Sequence, residues 1–146
     1  MNISKNGINL IKKFEGYREK SYQCEANKWT IGYGHTLNVK KDCICTKEQA
    51  EEYLKNDLKT VETAVNKLVK VKLNQNQYDA LCSLVFNIGT YNFSRSTLLK
   101  FLNNSSFLFA ANQFDKWIYV KRKTSNGLIN RRKKEKELFL NEIYLT

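Results

Sequence analysis

The sequence predicts an α+β fold that is mainly helical, with a small β-sheet lobe near the N-terminus joined by a long helix to a helical lobe. Apolar residues recur at intervals of three and four over most of the chain, which is typical of amphipathic helices. Residues 21–38 instead combine aromatic, β-branched and glycine residues, which predicts a hairpin and is the only β-like region. A length of 146 residues matches one domain.

We therefore expect a single domain over residues 1–146. Its sheet lobe would span about 15–50, and its helical lobe would start at about residue 70 and include the N-terminal helix. A cleft between two such lobes is where a ligand would bind.

The first helix is bounded by a capping residue and a glycine. Ser4 precedes the first apolar repeat and Gly16 follows it, so Glu15 would be the last helical residue. A carboxyl group at this position, between a helix and a sheet, could act as a proton donor at the mouth of a cleft. A lone glutamate is otherwise only a surface charge.

In the hairpin region, large and small side chains alternate strictly over residues 29–34. An extended backbone there would place three large side chains on one face and Thr30, Gly32 and Gly34 on the other. A nearly bare face beside a hydroxyl group would let a bulky substrate approach closely. The alternative is that the glycines serve tight turns, and spacing alone does not separate the two interpretations.

Two capping boxes predict the central helices. Thr46 with Gln49 precedes a long apolar repeat that ends near Leu68, which would be the connecting helix. Asn74 with Gln77 precedes a second repeat that is apolar enough to be buried.

The C-terminal third has weaker boundaries. Ser94 can cap one short helix, and Ser105 or Ser106 can cap another that continues through Trp117. A turn over residues 124–127 then leads into a basic last helix.

Charge is the strongest compositional feature. Lys and Arg number 25 against 14 Asp and Glu, which gives a formal net charge of +11 and draws the protein toward polyanions such as bacterial wall polymers. Specific nucleic-acid binding is the weakest of the hypotheses, because no aromatic-interleaved basic motif is present. No apolar run approaches the roughly 18 residues of a membrane helix, so membrane insertion is not expected.

The four cysteines, at positions 24, 43, 45 and 82, predict free thiols rather than disulfides, because the N-terminus shows no signal peptide. A chain with one histidine lacks the ligand pairs of a zinc site, so we expect no metal. We expect no cofactor.

Several motifs in order resemble the phage-type lysozymes, or endolysins, which include the T-even phage enzyme. The resemblance rests on E-G-x-x-x-x-x-Y followed by TIGYGHT within residues 15–36, and it continues in LNQNQYDALCSLVFNIG at 73–89, STLLKFLN at 96–103 and GLINRRKKE at 127–135. It implies a lysozyme-like fold and a muramidase that cleaves the β-1,4 bond between N-acetylmuramic acid and N-acetylglucosamine in peptidoglycan, which lyses bacteria.

The resemblance also implies roles for single residues. Glu15 matches the general acid, and Thr30 matches the threonine that helps to hold the attacking water. Thr36 and Phe86 match positions that line the saccharide cleft.

Two basic residues match supporting positions of the family. Arg131 matches the arginine near the catalytic glutamate, with Arg132 as the alternative if the alignment shifts by one. His35 matches a histidine that we take to be structural.

The departure from the family is Cys24, which stands nine residues after Glu15, where the family usually carries aspartate. A thiolate is anionic, and positive surroundings favour it. Cys24 could therefore activate water as a base, or attack the anomeric carbon and change the outcome from inversion to retention. Glu25 ranks below it, because neighbours in an extended segment point to opposite faces.

Two alternatives remain open. In one, the protein is an inactive peptidoglycan-binding relative in which Cys24 only fills space. In the other, Cys24 and His35 form a cysteine hydrolase, in which a base activates the thiol.

For the active enzyme we expect a monomer that binds peptidoglycan glycan strands. It would accumulate in the cytoplasm of the phage-infected cell that makes it. A membrane-permeabilising partner would then release it to the periplasm and cell wall.

Overall fold

The computed structural model describes the backbone of residues 1–145 and the side chains of residues 1–141. The predicted α+β class is confirmed, since seven α-helices, one 3₁₀ turn and two small antiparallel sheets make up the described chain. In chain order the elements are α1 (Lys5–Glu15), β1 (Arg18–Gln23), β2 (Trp29–Gly32), α2 (Lys47–Leu68), α3 (Gln75–Ile88), α4 (Thr90–Ser94), α5 (Thr97–Asn103), α6 (Phe107–Gln113), the 3₁₀ turn (Phe114–Lys116), β3 (Tyr119–Val120), β4 (Lys123–Thr124) and α7 (Asn126–Leu145).

The predicted ends of α1 are confirmed. The Ser4 side chain accepts a hydrogen bond from the Gly7 backbone N–H, which satisfies a donor that the first helical turn leaves free. At the other end Gly16 has φ of +67° and its N–H donates to the Lys12 carbonyl. Glu15 is therefore the last residue of the helix, where the chain turns toward the sheet.

Both predicted capping boxes are also present. At the start of α2, the side chains of Thr46 and Gln49 each accept a hydrogen bond from the backbone N–H of the other residue. Asn74 and Gln77 form the same pair of hydrogen bonds at the start of α3. Helix α2 is 22 residues long and connects the sheet region to the remaining helices. Its buried face is Ala50, Leu54, Leu58, Val61 and Val65, the repeat seen in the sequence.

The first sheet is a two-stranded hairpin that pairs Tyr22 with Thr30. The predicted extension of its second strand to residue 34 is wrong, because β2 ends at Gly32. Gly32 and Gly34 have φ of +61° and +71°, so the glycines form a turn. Thr30 is buried rather than exposed on a bare face. A Cβ on Gly32 would lie 3.0 Å from that of Ala50, so the turn also allows close packing on α2.

The C-terminal third differs from the prediction at its boundaries. Ser96, not Ser94, caps α5, because Ser94 is the last residue of the unpredicted helix α4. Ser106 is the residue before α6 but makes no side-chain cap hydrogen bond. Helix α6 ends at Gln113 instead of reaching Trp117, since the chain tightens there into a 3₁₀ turn.

A second hairpin, β3 with β4, contradicts the prediction of a single β-like region. Tyr119 pairs with Thr124 and Val120 pairs with Lys123, which leaves a two-residue turn at Lys121 and Arg122. Both turn residues have positive φ, a conformation in which Asn and Gly are strongly favoured. The sequence KRKT lacks that signature, so pattern alone did not reveal the hairpin.

Two apolar clusters support these elements. The larger one surrounds α3, whose residues 77–85 are all buried, and packs it against α2, α5, α6 and α7. The smaller one joins the first sheet, α1 and the N-terminal half of α2 around Ile11, Ile31 and Leu54. Phe86 is half-buried and contacts both clusters. Among the described residues, no helix combines the length and apolarity that crossing a bilayer requires.

Candidate active site

A cleft of about 790 Å³ lies between the region of the first sheet and the C-terminal helices. One wall consists of the C-terminal end of α1 and the tip of the first hairpin, including Glu15 and Cys24. The remaining lining comes from the C-terminal end of α3, from Asn92 of α4, from residues 116, 117 and 119–121, and from the first turns of α7, including Arg131. Its size is that of ordinary small-ligand sites, and its ends open to solvent.

Glu15 is fixed in this cleft from two sides. Its Oε2 accepts a short, charge-assisted hydrogen bond from Nη1 of Arg131 on α7. On its other side lies Gly34, where a Cβ atom would be 2.5 Å from Oε1 and 2.7 Å from the carboxyl carbon. Only 17% of the Glu15 side chain is exposed, so the carboxylate has little freedom to adopt another position.

Arg131 is itself held by buried partners. Its side chain is 6% exposed, Nε lies 3.2 Å from Oε2 of Glu135, and Nη2 donates to the Ser83 carbonyl at 3.1 Å. The guanidinium group also stacks over the Phe14 ring at 5.1 Å from its centroid. Several donors of the planar group are therefore occupied, and Nη1 is directed at Glu15.

Behind Arg131 lies a buried carboxylate that the sequence analysis did not identify as part of the site. Glu135 is fully buried and accepts hydrogen bonds from the Ser83 hydroxyl and from Arg131. Its Oε1 lies 2.8 Å from Nε of Arg132, an ion pair that is not aligned as a hydrogen bond. Burial raises the pKa of Glu135, and the two guanidinium groups oppose that shift.

Arg132 does not line the cleft itself but bonds Asn87 and Trp117, which do. Its Nη2 donates to Oδ1 of Asn87 at 2.9 Å, and burial lowers its pKa to about 10. The two arginines named as alternatives in the alignment are thus separated by the structure, because Arg131 contacts Glu15 and Arg132 supports Glu135. The sequence signal for Glu135 was its spacing of three and four residues from the arginines on one helix.

Cys24 is half-buried and lines the cleft at the tip of the first hairpin. Its backbone is fixed by two hydrogen bonds, from its N–H to the Lys28 carbonyl at 3.0 Å and from the Asn27 N–H to its carbonyl at 2.8 Å. The Thr30 hydroxyl donates to the same Lys28 carbonyl at 3.0 Å. Thr30 therefore supports the turn that carries Cys24, but it is only 3% exposed and is not among the cleft-lining residues.

Glu25 also lines the cleft, and its side chain has a partner near the start of α7. Its Oε2 accepts a hydrogen bond of 3.0 Å from the Ser125 hydroxyl, which in turn accepts from the Leu128 N–H and caps α7. The contact joins residues 100 positions apart and ties the tip of the first hairpin to the segment before α7.

Besides Thr30, three other predicted site residues lie away from the cleft lining. His35 is buried, with Nδ1 2.8 Å from Oδ2 of Asp57 and its ring stacked on Tyr53 at 4.3 Å between centroids. Thr36 is exposed beyond the end of β2, and Phe86 packs between the two apolar clusters. The described residues that do line the cleft include Tyr22, Trp117, Tyr119 and Lys121, none of which the sequence analysis named as site residues.

Comparison with known proteins shows similarity over the full fold. The profile of the family described as "Phage lysozyme" matches residues 12–135. An endolysin of Acyrthosiphon pisum secondary endosymbiont phage 1 is 50% identical over 143 residues, which cover 95% of this chain and 98% of that protein. The endolysin of Salmonella phage P22 is 46% identical over 145 residues, covering 96% and 99%.

Solved structures give the same result. An endolysin of an Escherichia coli phage, FAHEc1, superposes with a TM-score of 0.86 at 39% identity, covering 97% of this chain and 95% of that one. A mutant of the P22 lysozyme superposes with a TM-score of 0.80 at 43% identity, covering 96% and 99%.

Proposed function

Because the chain belongs to the phage lysozyme family, whose members hydrolyse bacterial peptidoglycan, we propose that the cleft containing Glu15 and Cys24 is its muramidase site. The bond cleaved is the β-1,4 linkage between N-acetylmuramic acid and N-acetylglucosamine. The observation that carries this proposal is the fixed pair of Glu15 and Arg131 in a cleft that Cys24 also lines.

Glu15 acts as the general acid. In its protonated form it donates its proton to the glycosidic oxygen, which leaves with the C–O bond electrons while positive charge develops at the anomeric carbon. The carboxylate that remains is stabilised by Nη1 of Arg131, which already points at Oε2. Arg131 thus stabilises the deprotonated form of Glu15, which the proton transfer produces.

Cys24 supplies the second group of the reaction by one of two routes. As a thiolate base it takes a proton from water, whose oxygen attacks the anomeric carbon and inverts its configuration. As a nucleophile, its Sγ forms a thioglycoside with the anomeric carbon, which water then hydrolyses with net retention. Both routes need an anionic group in the cleft, and Cys24 lines it.

Thr30 contributes to water positioning through the turn that carries Cys24, because it is buried and lies outside the cleft lining. Its hydroxyl donates to the Lys28 carbonyl. The same carbonyl accepts the Cys24 N–H, so Thr30 helps to fix the backbone that places the thiol in the cleft. Phe86 would act at a distance from the cleft, through the two apolar clusters that it contacts. Thr36, which is exposed beyond β2, would meet the glycan strand only outside the cleft lining.

The test is release of reducing sugar ends from purified peptidoglycan by four proteins: wild type, Glu15→Gln, Cys24→Ala and Cys43→Ala. Cys43 is also a half-buried free thiol but does not line the cleft, so its variant controls for general loss of a thiol. We expect Cys43→Ala to match wild type and the other two variants to lose at least about 100-fold in rate. Full activity of Cys24→Ala would refute the catalytic cysteine.

The stereochemistry of the product separates the two routes. A β-anomer released first indicates retention and a thioglycoside, and an α-anomer indicates inversion by activated water. If wild type binds peptidoglycan but releases no reducing ends, the chain is the inactive binding relative instead. That result would contradict the muramidase proposal as a whole.

The proposed enzyme works as a monomer, because one chain supplies both walls of the cleft. It is made in the cytoplasm of the phage-infected cell, and a membrane-permeabilising partner gives it access to the wall. The formal charge of +11 favours contact with anionic wall polymers. Purified protein added to intact cells should lyse them where the wall faces the medium. Where a membrane covers the wall, lysis should follow only after that membrane is permeabilised from outside.

A further inference from the structure

Two large apolar side chains are exposed on the helical lobe, outside the cleft. Leu108 and Phe109 are neighbours in the first turn of α6, and their exposed fractions are 58% and 63%. The Phe109 ring stacks on the partly exposed ring of Phe101 in α5, with 5.5 Å between the two centroids. None of the three lines the cleft. We call the apolar surface formed by Phe101, Leu108 and Phe109 the α5–α6 corner.

The two helices do not use Leu108 and Phe109 for their own packing. The residues that they bury are Leu98, Leu99 and Leu102 in α5, and Ala110 and Ala111 in α6. Leu108 and Phe109 instead leave apolar area in contact with water, which is unfavourable in the isolated protein. Adjacent exposed apolar side chains are typical of surfaces that bind another apolar phase.

Exposed lysines flank this corner. Lys100 precedes Phe101 on α5, and Lys70 lies beside the end of α5, because its backbone N–H donates to Oδ1 of Asn103 at 2.8 Å. The Lys70 ammonium group donates to the Lys67 carbonyl at 2.7 Å, so Lys67 is also nearby, and all three lysines are exposed. Neither Lys70 nor Lys100 forms an ion pair with any described side chain.

Carboxylates that could offset these charges are scarce in this part of the chain. From residue 63 to residue 114 the sequence contains five lysines and arginines, but Asp79 is its one acidic residue. Asp79 is buried and accepts hydrogen bonds from the backbone N–H and the hydroxyl of Ser4. Asp115 follows the segment and is ion-paired with Lys136 at 2.9 Å. The α5–α6 corner therefore combines apolar surface with positive charge that the segment itself does not neutralise.

We propose that the α5–α6 corner docks the protein on the surface of an anionic phospholipid bilayer, with Leu108 and Phe109 entering the headgroup boundary and Lys70 and Lys100 binding lipid phosphates. A lipid surface matches both parts of the corner, because its acyl chains accept the apolar side chains and its phosphates attract the lysines. Such docking is peripheral and does not require a helix that crosses the membrane. It goes beyond the proposed hydrolysis of peptidoglycan and does not depend on it.

Other occupants match only one part of the corner. A second copy of the chain would cover Leu108 and Phe109, but it would bring two proteins of formal charge +11 together with lysines on both sides of the contact. A nucleic acid or a phosphate-bearing wall polymer would pair with the lysines but offers no acyl phase to the aliphatic Leu108 side chain.

Flotation of the full chain with lipid vesicles tests the proposal. One set of vesicles contains equal parts of phosphatidylglycerol and phosphatidylcholine, and the other contains phosphatidylcholine alone. We expect wild type to bind the anionic vesicles at least about tenfold more tightly than the neutral ones. Equal binding to both sets overturns the proposal, and so does the absence of binding to either.

A first pair of variants tests the apolar contribution. Leu108→Ser with Phe109→Ser should weaken binding to the anionic vesicles by at least about tenfold. The matched control is Leu37→Ser with Ile44→Ser, which alters side chains that are 69% and 71% exposed in the region of the first sheet and should bind like wild type. An equal loss in variant and control overturns the proposal. Thermal unfolding checks that both proteins remain folded.

A second pair tests the charges. Lys70→Gln with Lys100→Gln should weaken binding by about tenfold, whereas Lys133→Gln with Lys134→Gln, at exposed positions of α7, should leave it nearly unchanged. An equal loss in both variants shows that net charge alone drives binding, which overturns the proposal. A protein that needs the two lysines but not Leu108 and Phe109 binds polyanions in general, which also overturns it.

A fluorescent reporter locates the contact without weakening it. Leu108→Trp and Leu37→Trp each add one indole group to the same two native tryptophans. With vesicles whose acyl chains carry bromine, which quenches indole fluorescence on contact, quenching should be clearly larger for Leu108→Trp. Equal quenching in the two variants overturns the proposal. These measurements contain no peptidoglycan, so failure of lipid docking and failure of the proposed muramidase activity are distinguishable.

Discussion

Gly34 faces the carboxylate of Glu15 so closely that a Cβ atom at this position would lie 2.5 Å from Oε1. The glycine has φ of +71° and belongs to the turn that follows β2, whereas Glu15 ends α1. The turn and the helix therefore meet only because residue 34 has no side chain. On the opposite side Arg131 bonds Oε2, so both carboxylate oxygens of Glu15 have a fixed neighbour.

Gly34→Ala is expected to displace the Glu15 carboxylate and to reduce hydrolysis by more than about tenfold, since small misplacements of a catalytic group have large effects. The matched control is Gly89→Ala, because Gly89 also has positive φ, +91°, but a Cβ there would have no neighbour within 4 Å. Both variants should lose roughly 1–2 kcal/mol of stability from backbone strain. Equal activity of the two variants, measured by release of reducing ends, would show that the contact with Glu15 is unimportant.

Arg131→Gln is expected to destabilise the protein by about 3 kcal/mol, because it leaves Glu15 without its cationic partner and removes one of the two guanidinium groups that face the buried Glu135. The exposed pair of Lys136 and Asp115 provides the comparison, and Lys136→Gln should cost less than about 1 kcal/mol. Urea unfolding of both variants measures the difference. A loss below 1 kcal/mol for Arg131→Gln would mean that the buried network contributes no more than a surface ion pair.

Cys82 is fully buried in the larger cluster, and burial raises its pKa far above the ordinary value. Above about pH 8.5 the unfolded chain releases a proton that the folded protein retains, so the free energy of unfolding falls as pH rises. The slope reaches at most about 1.4 kcal/mol per pH unit for one group. Cys82→Ala should flatten the wild-type decline between pH 8 and 9.5 in urea unfolding, whereas parallel declines would contradict this assignment.

His35→Gln is expected to retain most hydrolytic activity, because the histidine bonds Asp57 and stacks on Tyr53 rather than lining the cleft. The loss of these contacts should instead appear as a stability decrease of about 1–3 kcal/mol in thermal or urea unfolding. Loss of activity in a protein that remains folded under the assay conditions, together with activity of Glu15→Gln, would favour the alternative cysteine hydrolase.

Much of the fold was predictable because its signals are local. The caps Ser4, Thr46 and Asn74 satisfy backbone donors within three residues, so the sequence itself contains both partners. The helix boundaries that were predicted wrongly depend on distant packing, as in the short helix α4 and the 3₁₀ turn after α6. The second hairpin was missed because Lys and Arg occupy turn positions that Asn and Gly usually mark.

The candidate site was only partly predictable for the same reason. Residues 15–36 contain the proposed acid and Cys24 within one local motif, so the resemblance pointed to them directly. The contact of Gly34 with Glu15 requires the turn geometry, and the contact of Glu25 with Ser125 requires both lobes in place. Residues lining the cleft from 116 to 121 carry no motif, and only the assembled structure shows them beside Glu15.

The bond between Glu15 and Arg131 joins positions 116 residues apart, and Arg131 belongs to α7. During synthesis Glu15 therefore emerges from the ribosome long before its partner does. A chain that ends before α7 has neither this bond nor the helix that forms one wall of the cleft. Products that terminate before α7 should consequently be inert toward the wall, and activity during synthesis should appear only after α7 has emerged.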